Sequence, residues 1–166
     1  LTVGRLTYQK AYDIAIDAMK LVKQSGCKAR WYVLGEGNER EKLEKKIKEL
    51  GLEEDFLLLG AVENPYPYYA QADLYVHATR FEGKSIAIQE AQVLGCPVIA
   101  SDCNGNREQI ESGVDGILCK LSPEDIAKCI EELIADPKKR QIYAKCARER
   151  NKENKEEINQ LLTMMR

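Results

Sequence analysis

Residues 75–102, YVHATRFEGKSIAIQEAQVLGCPVIASD, hold one complete strand–loop–helix–strand unit. The apolar run ADLYVHA (72–78) leads into a loop carrying Glu82 and Gly83, and PVIASD (97–102) is a second apolar run. Residues 85–94 between them have the length and composition of a helix. Two short strands joined through a helix read as a parallel pair, because parallel strands need a crossover connection of this length, usually a helix. The unit also poses a problem. Glu90 stands eight positions after Glu82, in a helix that is otherwise mostly apolar. Winding residues 85–94 at about 100° per residue puts Ser85, Gln89 and Gln92 on one polar side. Glu90 lands instead among Ile86, Ala87, Val93 and Leu94. A carboxylate there needs a hydrogen-bonding partner, supplied by a ligand or by the protein itself.

The same alternation extends in both directions. LTVG (1–4), RWYVLG (30–35), DFLLLG (55–60) and DGILCK (115–120) are further strand runs, which makes six in all. Helical patterns follow most of them. Ile14, Ala18, Leu21 and Val22 share one face before Gly26, and Leu43, Ile47 and Leu50 share another before Gly51. Ser122 and Pro123 have the chemistry of an N-cap and first helical position for SPEDIAKCIEELIAD. ENPYPYYAQ is interrupted by Pro65 and Pro67 and allows at most a short helix. The expected fold is α/β: a Rossmann-like, doubly wound parallel sheet of about six strands with helices on both faces. Residues 1–136 read as this domain and 137–166 as a helical extension. The extension is highly charged, as a solvated helix is, until Ile158, Leu161, Leu162 and Met165 give its end an apolar side.

Composition narrows the function. The 166 residues carry a formal charge of −2, which gives no electrostatic footprint for nucleic acid. No run is long and apolar enough to span a bilayer, and no signal peptide is present. The six cysteines form no C-x-x-C pair and His77 is the one histidine, so zinc-ligand spacing is absent. Reduced thiols fit a cytoplasmic protein. The chain begins at Leu1 within a strand pattern and reads as cut at a domain boundary.

Ligands of open parallel sheets bind beyond the carboxyl ends of the strands, where the strand order reverses. In the order 3-2-1-4-5-6 that point lies between the first and fourth strands. The loops there, GRLTYQK (4–10) and ATRFEGKS (78–85), hold Arg5, Lys10, Glu82, Gly83, Lys84 and Ser85. Cations beside a helix start suit a phosphate-bearing ligand. A competing signal, GEGNER (35–40), begins like a dinucleotide fingerprint but has Arg40 in place of the third glycine.

Taken in order, VGRLTYQK, WYVLGEGNEREKLE, LLLGAV, the segment from Tyr69 to Asp102, GNREQI and GVDGIL resemble the C-terminal, donor-binding half of the family 4 (group 1) retaining glycosyltransferases of GT-B fold. Glu82 and Glu90 match that family's E-x7-E motif. The resemblance implies transfer of a sugar, with retention, from a nucleotide-sugar such as a UDP-sugar. The acceptor would be a glycan or lipid-linked molecule bound through a separate N-terminal domain, and no nucleic acid would take part. It implies that Arg5 and Lys10 grip the donor diphosphate in place of a metal, with no cofactor. Glu82 would face the transferred sugar as the catalytic carboxylate, and the amides of Gly83, Lys84 and Ser85 would hold the sugar and phosphate. Glu90 would hold the ribose. Gly60, Ala61 and Val62 would lie near the base. His77 has two readings, a donor-sugar contact or a structural residue. Two departures stand out: Ala11 where the family has glycine, and Lys84–Ser85 where an apolar residue and glycine are usual. The E-G-K-S form is similar to bacterial enzymes of capsule and surface polysaccharide synthesis, placing the whole enzyme free in the cytoplasm or peripheral to the inner face of the plasma membrane. A fragment of this kind is expected to bind UDP weakly and to transfer little. Two alternatives stay open: a non-catalytic sugar-nucleotide module, and another GT-B enzyme such as an epimerase or phosphorylase.

Overall fold

Every apolar run becomes a strand, and every strand pair is parallel. The computed structural model describes residues 1–151. Strands β1 (Thr2–Val3), β2 (Trp31–Leu34) and β3 (Phe56–Gly60) form one three-stranded sheet, and β4 (Tyr75–His77), β5 (Val98–Ser101) and β6 (Gly116–Cys119) form another. The single sheet expected from the sequence is therefore divided between β1 and β4. β1 is two residues long, and its ladder pairs are with β2. The seam is still bridged. The Val76 N–H donates to the Leu1 carbonyl at 2.9 Å, and the Thr2 hydroxyl donates to the Val76 carbonyl at 2.6 Å. Across it the strands stand in the order β3-β2-β1-β4-β5-β6.

The helices are α1 (Tyr12–Gln24), α2 (Arg40–Glu49), α3 (Tyr66–Gln71), α4 (Ile86–Leu94), α5 (Asn104–Gln109), α6 (Pro123–Ala135) and α7 (Pro137–Asn151). Side chains that alternate along a strand point to opposite faces, so the sheets have two cores. Val76 and Ile99 join α1, α2 and α6 in one core. Tyr75, Val98 and Ala100 join α3 and α4 in the other. α6 is capped as its sequence implies, with Ser122 Oγ accepting from the Asp125 N–H at 3.2 Å.

The charged segment after Pro137 packs more firmly than a solvated helix would. α7 leaves α6, passes β6 and lies against α4, burying Tyr143, Ala144, Ala147 and Asn151. The apolar positions Ile158, Leu161, Leu162 and Met165 lie outside the described residues. No helix among the described residues is long and apolar enough to cross a membrane.

Candidate functional site

The loops after β1 and β4 meet at the carboxyl ends of their strands, where a parallel sheet presents its ligand site. They are stitched together through Gln9. Its carbonyl accepts from the Arg80 N–H at 2.8 Å and the Thr79 hydroxyl at 3.0 Å, and its Nε2 donates to the Phe81 carbonyl at 2.9 Å. Arg80 completes the junction, donating to the Tyr8 carbonyl at 2.6 Å and to Asp13 Oδ2 at 2.7 Å.

Glu82 projects into this junction. Its Oε2 accepts from Lys10 Nζ in a close ion pair and lies 2.9 Å from His77 Nε2. Oε1 has a single partner among the described residues, Gln9 Nε2 at 3.5 Å. The imidazole contact, helped by Lys10 and opposed by burial, brings the Glu82 pKa down to about 2. Burial, chiefly, lowers the His77 pKa, so this imidazole is neutral at physiological pH. Of the two cations picked from the sequence, Lys10 is thus committed to Glu82. Arg5 is exposed, with no side-chain partner among the described residues.

Glu90 lies on the other side of α4's first turns. Its two oxygens accept from Tyr66 Oη at 3.4 Å and Tyr69 Oη at 3.1 Å. Desolvation raises its pKa, against the opposing effect of the two phenols. The buried face of α4 is formed by Ile88, Ala91 and Gln92, whereas Ile86 is 72% exposed. The helical wheel had these reversed. Gln92 is buried because its amide donates to the Gln109 carbonyl at 2.9 Å and accepts from Asn151 Nδ2 at 3.2 Å.

The loop between the glutamates is set from behind by α5. Gln109 grips Ser85 at both backbone groups, accepting from its N–H at 2.7 Å and donating to its carbonyl at 2.8 Å. Ser85 Oγ caps α4, accepting from the Ile88 N–H at 3.4 Å. The Ser85 amide and hydroxyl are therefore occupied within the protein, while Gly83 and Lys84 stand exposed at the mouth. Gly105 lets α5 approach this closely: a Cβ there would sit 1.7 Å from the Gly83 carbonyl oxygen. Sequence reasoning missed Gln109, Gly105, Tyr66 and Tyr69 as parts of the site. The one available signal was GNREQI following a strand that ends at the same crevice.

Gly60, Ala61 and Val62 follow β3 on the neighbouring edge. The Gly60 carbonyl accepts from the Gly35 N–H at 2.8 Å, and Ala61 is exposed. GEGNER also finds its explanation here. A Cβ at Gly35 or Gly37 would meet the Gly4 or Leu6 carbonyl oxygen at 2.0 or 2.3 Å, so the two glycines admit the loop after β1. Away from this crevice, a cavity of about 520 Å³ opens at the amino ends of β1, β2 and β4, beside Trp31, Leu74 and Arg140.

A family model for glycosyl transferases group 1 matches residues 1–150. The chain belongs to the group 1 glycosyl transferases. This glycosyl transferase chain is 34% identical over 154 residues to the N-acetylgalactosamine-N,N'-diacetylbacillosaminyl-diphospho-undecaprenol 4-alpha-N-acetylgalactosaminyltransferase of Campylobacter jejuni, covering 92% of this chain and 41% of that protein. It is 31% identical to the amylovoran biosynthesis glycosyltransferase AmsD of Erwinia amylovora, over 89% of this chain and again 41% of the relative. The chain thus spans about two fifths of the length of these relatives. Among solved structures, a TarM mutant of S. aureus in complex with fondaparinux, alpha-GlcNAc-glycerol and UDP superposes with a TM-score of 0.89 at 25% identity, covering 98% of this chain and 34% of that one. Anabaena Alr3699/HepE in complex with UDP gives 0.83 at 27% identity, covering 99% and 48%. These neighbours are GT-B enzymes, and the Rossmann-like fold with its parallel strands is shared with them.

Proposed function

We propose that this chain is the donor-binding domain of a retaining, family 4 glycosyltransferase that uses a UDP-sugar, in the synthesis of a bacterial surface polysaccharide. The observation that carries the reading is the placement of Glu82, Lys10 and the start of α4 at the carboxyl ends of β1 and β4, with Glu90 half-buried one helix turn further on. UDP in two solved neighbours and the polysaccharide pathway of AmsD support the donor and the pathway.

In this reading Glu90 accepts hydrogen bonds from the ribose hydroxyls, and the base rests near Gly60, Ala61 and Val62. Arg5, exposed and with no side-chain partner among the described residues, takes the diphosphate first. The diphosphate then competes with Glu82 for Lys10. As the bond from the sugar's anomeric carbon to the phosphate oxygen breaks, its electron pair leaves with UDP. The growing negative charge is met by Arg5, Lys10 and the amides of Gly83 and Lys84. Glu82 stays ionised beside the anomeric carbon and stabilises its oxocarbenium-like charge. The acceptor hydroxyl attacks from the face the leaving group vacates and gives its proton to the departing phosphate. The acceptor, a glycan or lipid-linked molecule, is held by a further domain, and catalysis needs no metal or other cofactor.

Calorimetric titration of UDP and UDP-glucose into wild type, Glu90→Ala and Arg5→Ala tests the assignment. Saturable binding by wild type, weakened about tenfold or more in each variant, is expected where a charged hydrogen bond is lost. EDTA is expected to leave the affinity unchanged. Identical binding by all three proteins, or none by any, contradicts the site.

A further inference from the structure

The histidine behind Glu82 is more than packing. His77 is 1% exposed and touches polar groups at both ring nitrogens. An ionised carboxylate only accepts, so the proton of the neutral imidazole is on Nε2 and points at Glu82 Oε2. Nδ1 is then bare and needs a donor. Tyr75 Oη, fully buried, donates to the Val3 carbonyl at 3.2 Å and lies 3.3 Å from Nδ1, so its one proton is divided between two acceptors. The arrangement continues past Tyr75: its ring is 5.3 Å from that of Tyr69, whose hydroxyl donates to Glu90. The two glutamates thus stand at the ends of one buried row, Glu82–His77–Tyr75–Tyr69–Glu90.

The two oxygens of Glu82 are treated differently. Oε2 holds both His77 and Lys10, while Oε1 has only the long contact to Gln9. A diphosphate that attracts Lys10 leaves His77 as the remaining strong tether of the carboxylate. We propose that His77, backed by Tyr75, is the positioning residue of Glu82, fixing it through Oε2 so that Oε1 faces the transferred sugar. The inference rests on reading the crevice as a nucleotide-sugar site. The charged groups facing Glu82 are Lys10 from the loop after β1 and, if protonated, His77 from β4.

The test uses the full chain with three substitutions. His77→Leu removes the donor and keeps apolar bulk, His77→Gln restores an N–H at similar reach, and Tyr75→Phe deletes one hydroxyl. Two quantities are read: the Glu82 carboxyl titration by carbon-13 NMR, and the ratio of UDP-glucose to UDP affinity. In His77→Leu the titration is expected to move up from about 2 toward the ordinary 4.5. The affinity ratio is expected to fall about tenfold, the weight of one charged hydrogen bond. His77→Gln should recover most of both, and Tyr75→Phe should move both part of the way. An unmoved Glu82 titration with an unmoved ratio in folded His77→Leu overturns the proposal. Should that variant not fold, Tyr75→Phe decides by the same two readings. Wild type that binds neither ligand refutes the nucleotide-sugar reading, while the titration still decides whether His77 sets Glu82.

Discussion

Ala11 has a φ of +47°, in the left-handed region that favours glycine. It joins the turn bearing Lys10 to α1, which explains why a glycine is usual there. The strain of an alanine in this conformation costs roughly 1–2 kcal/mol. Against that, glycine would forgo a buried methyl worth about 0.8 kcal/mol and add about 0.5–1 kcal/mol of unfolded-chain entropy. The opposing effects nearly cancel, so Ala11→Gly is expected to change unfolding stability by less than about 1 kcal/mol. Ala11→Val puts a branched side chain into the same strained, buried position and is expected to cost about 2 kcal/mol or more. Urea melts of the two variants check both values. At the same scale the two glutamates separate by pH. The pKa of Glu90 is raised by desolvation and that of Glu82 is lowered to about 2, chiefly by His77. UDP-glucose affinity should be full above the raised Glu90 pKa and fall as acidification protonates Glu90 and removes an acceptor for the ribose. Glu82 remains charged throughout that window. Titrations between pH 7 and 4 in wild type and Glu90→Gln check this, because the fall should be absent from the variant.

At the scale of elements, strands and helices were legible in the sequence because each is encoded locally, by apolar runs, glycine stops and the Ser122–Pro123 cap. The face that each helix buries was less so. Periodicity placed Ile86 inside and Gln92 outside, yet Gln92 is 2% exposed, since partners from α5 and α7 satisfy its amide. Such partners are distant in sequence and leave no periodic trace. The grip of Gln109 on Ser85 was hidden for the same reason, whereas Glu82 and Glu90 were visible through their spacing. The α5 contacts make a definite expectation. Gln109→Ala leaves the Ser85 N–H without its partner, at about 1–3 kcal/mol before water enters, and leaves the Ser85 carbonyl with the Gln89 N–H at 3.3 Å. Stability should fall by about 2 kcal/mol, and UDP-glucose should lose more affinity than UDP, because the proposed site has this loop facing the sugar. Equal losses for both ligands would separate α5 from the sugar end of the site.

On the scale of the whole molecule, two thin sheets meet at a seam, and the crevice lies at the seam's carboxyl end. The ladder pairs of β1 are with β2, and the Val76 and Thr2 bridges hold the halves together. The seam thereby brings Lys10 from one half onto Glu82 from the other. The most direct test of a single nucleotide-sugar site at this seam is an amide NMR titration of the chain with UDP-glucose. The account predicts shifts concentrated at Arg5, Lys10, Gly60 to Val62, Gly83 to Ser85 and Glu90. Shifts confined to the cavity at the opposite strand ends, around Trp31, Leu74 and Arg140, would contradict it.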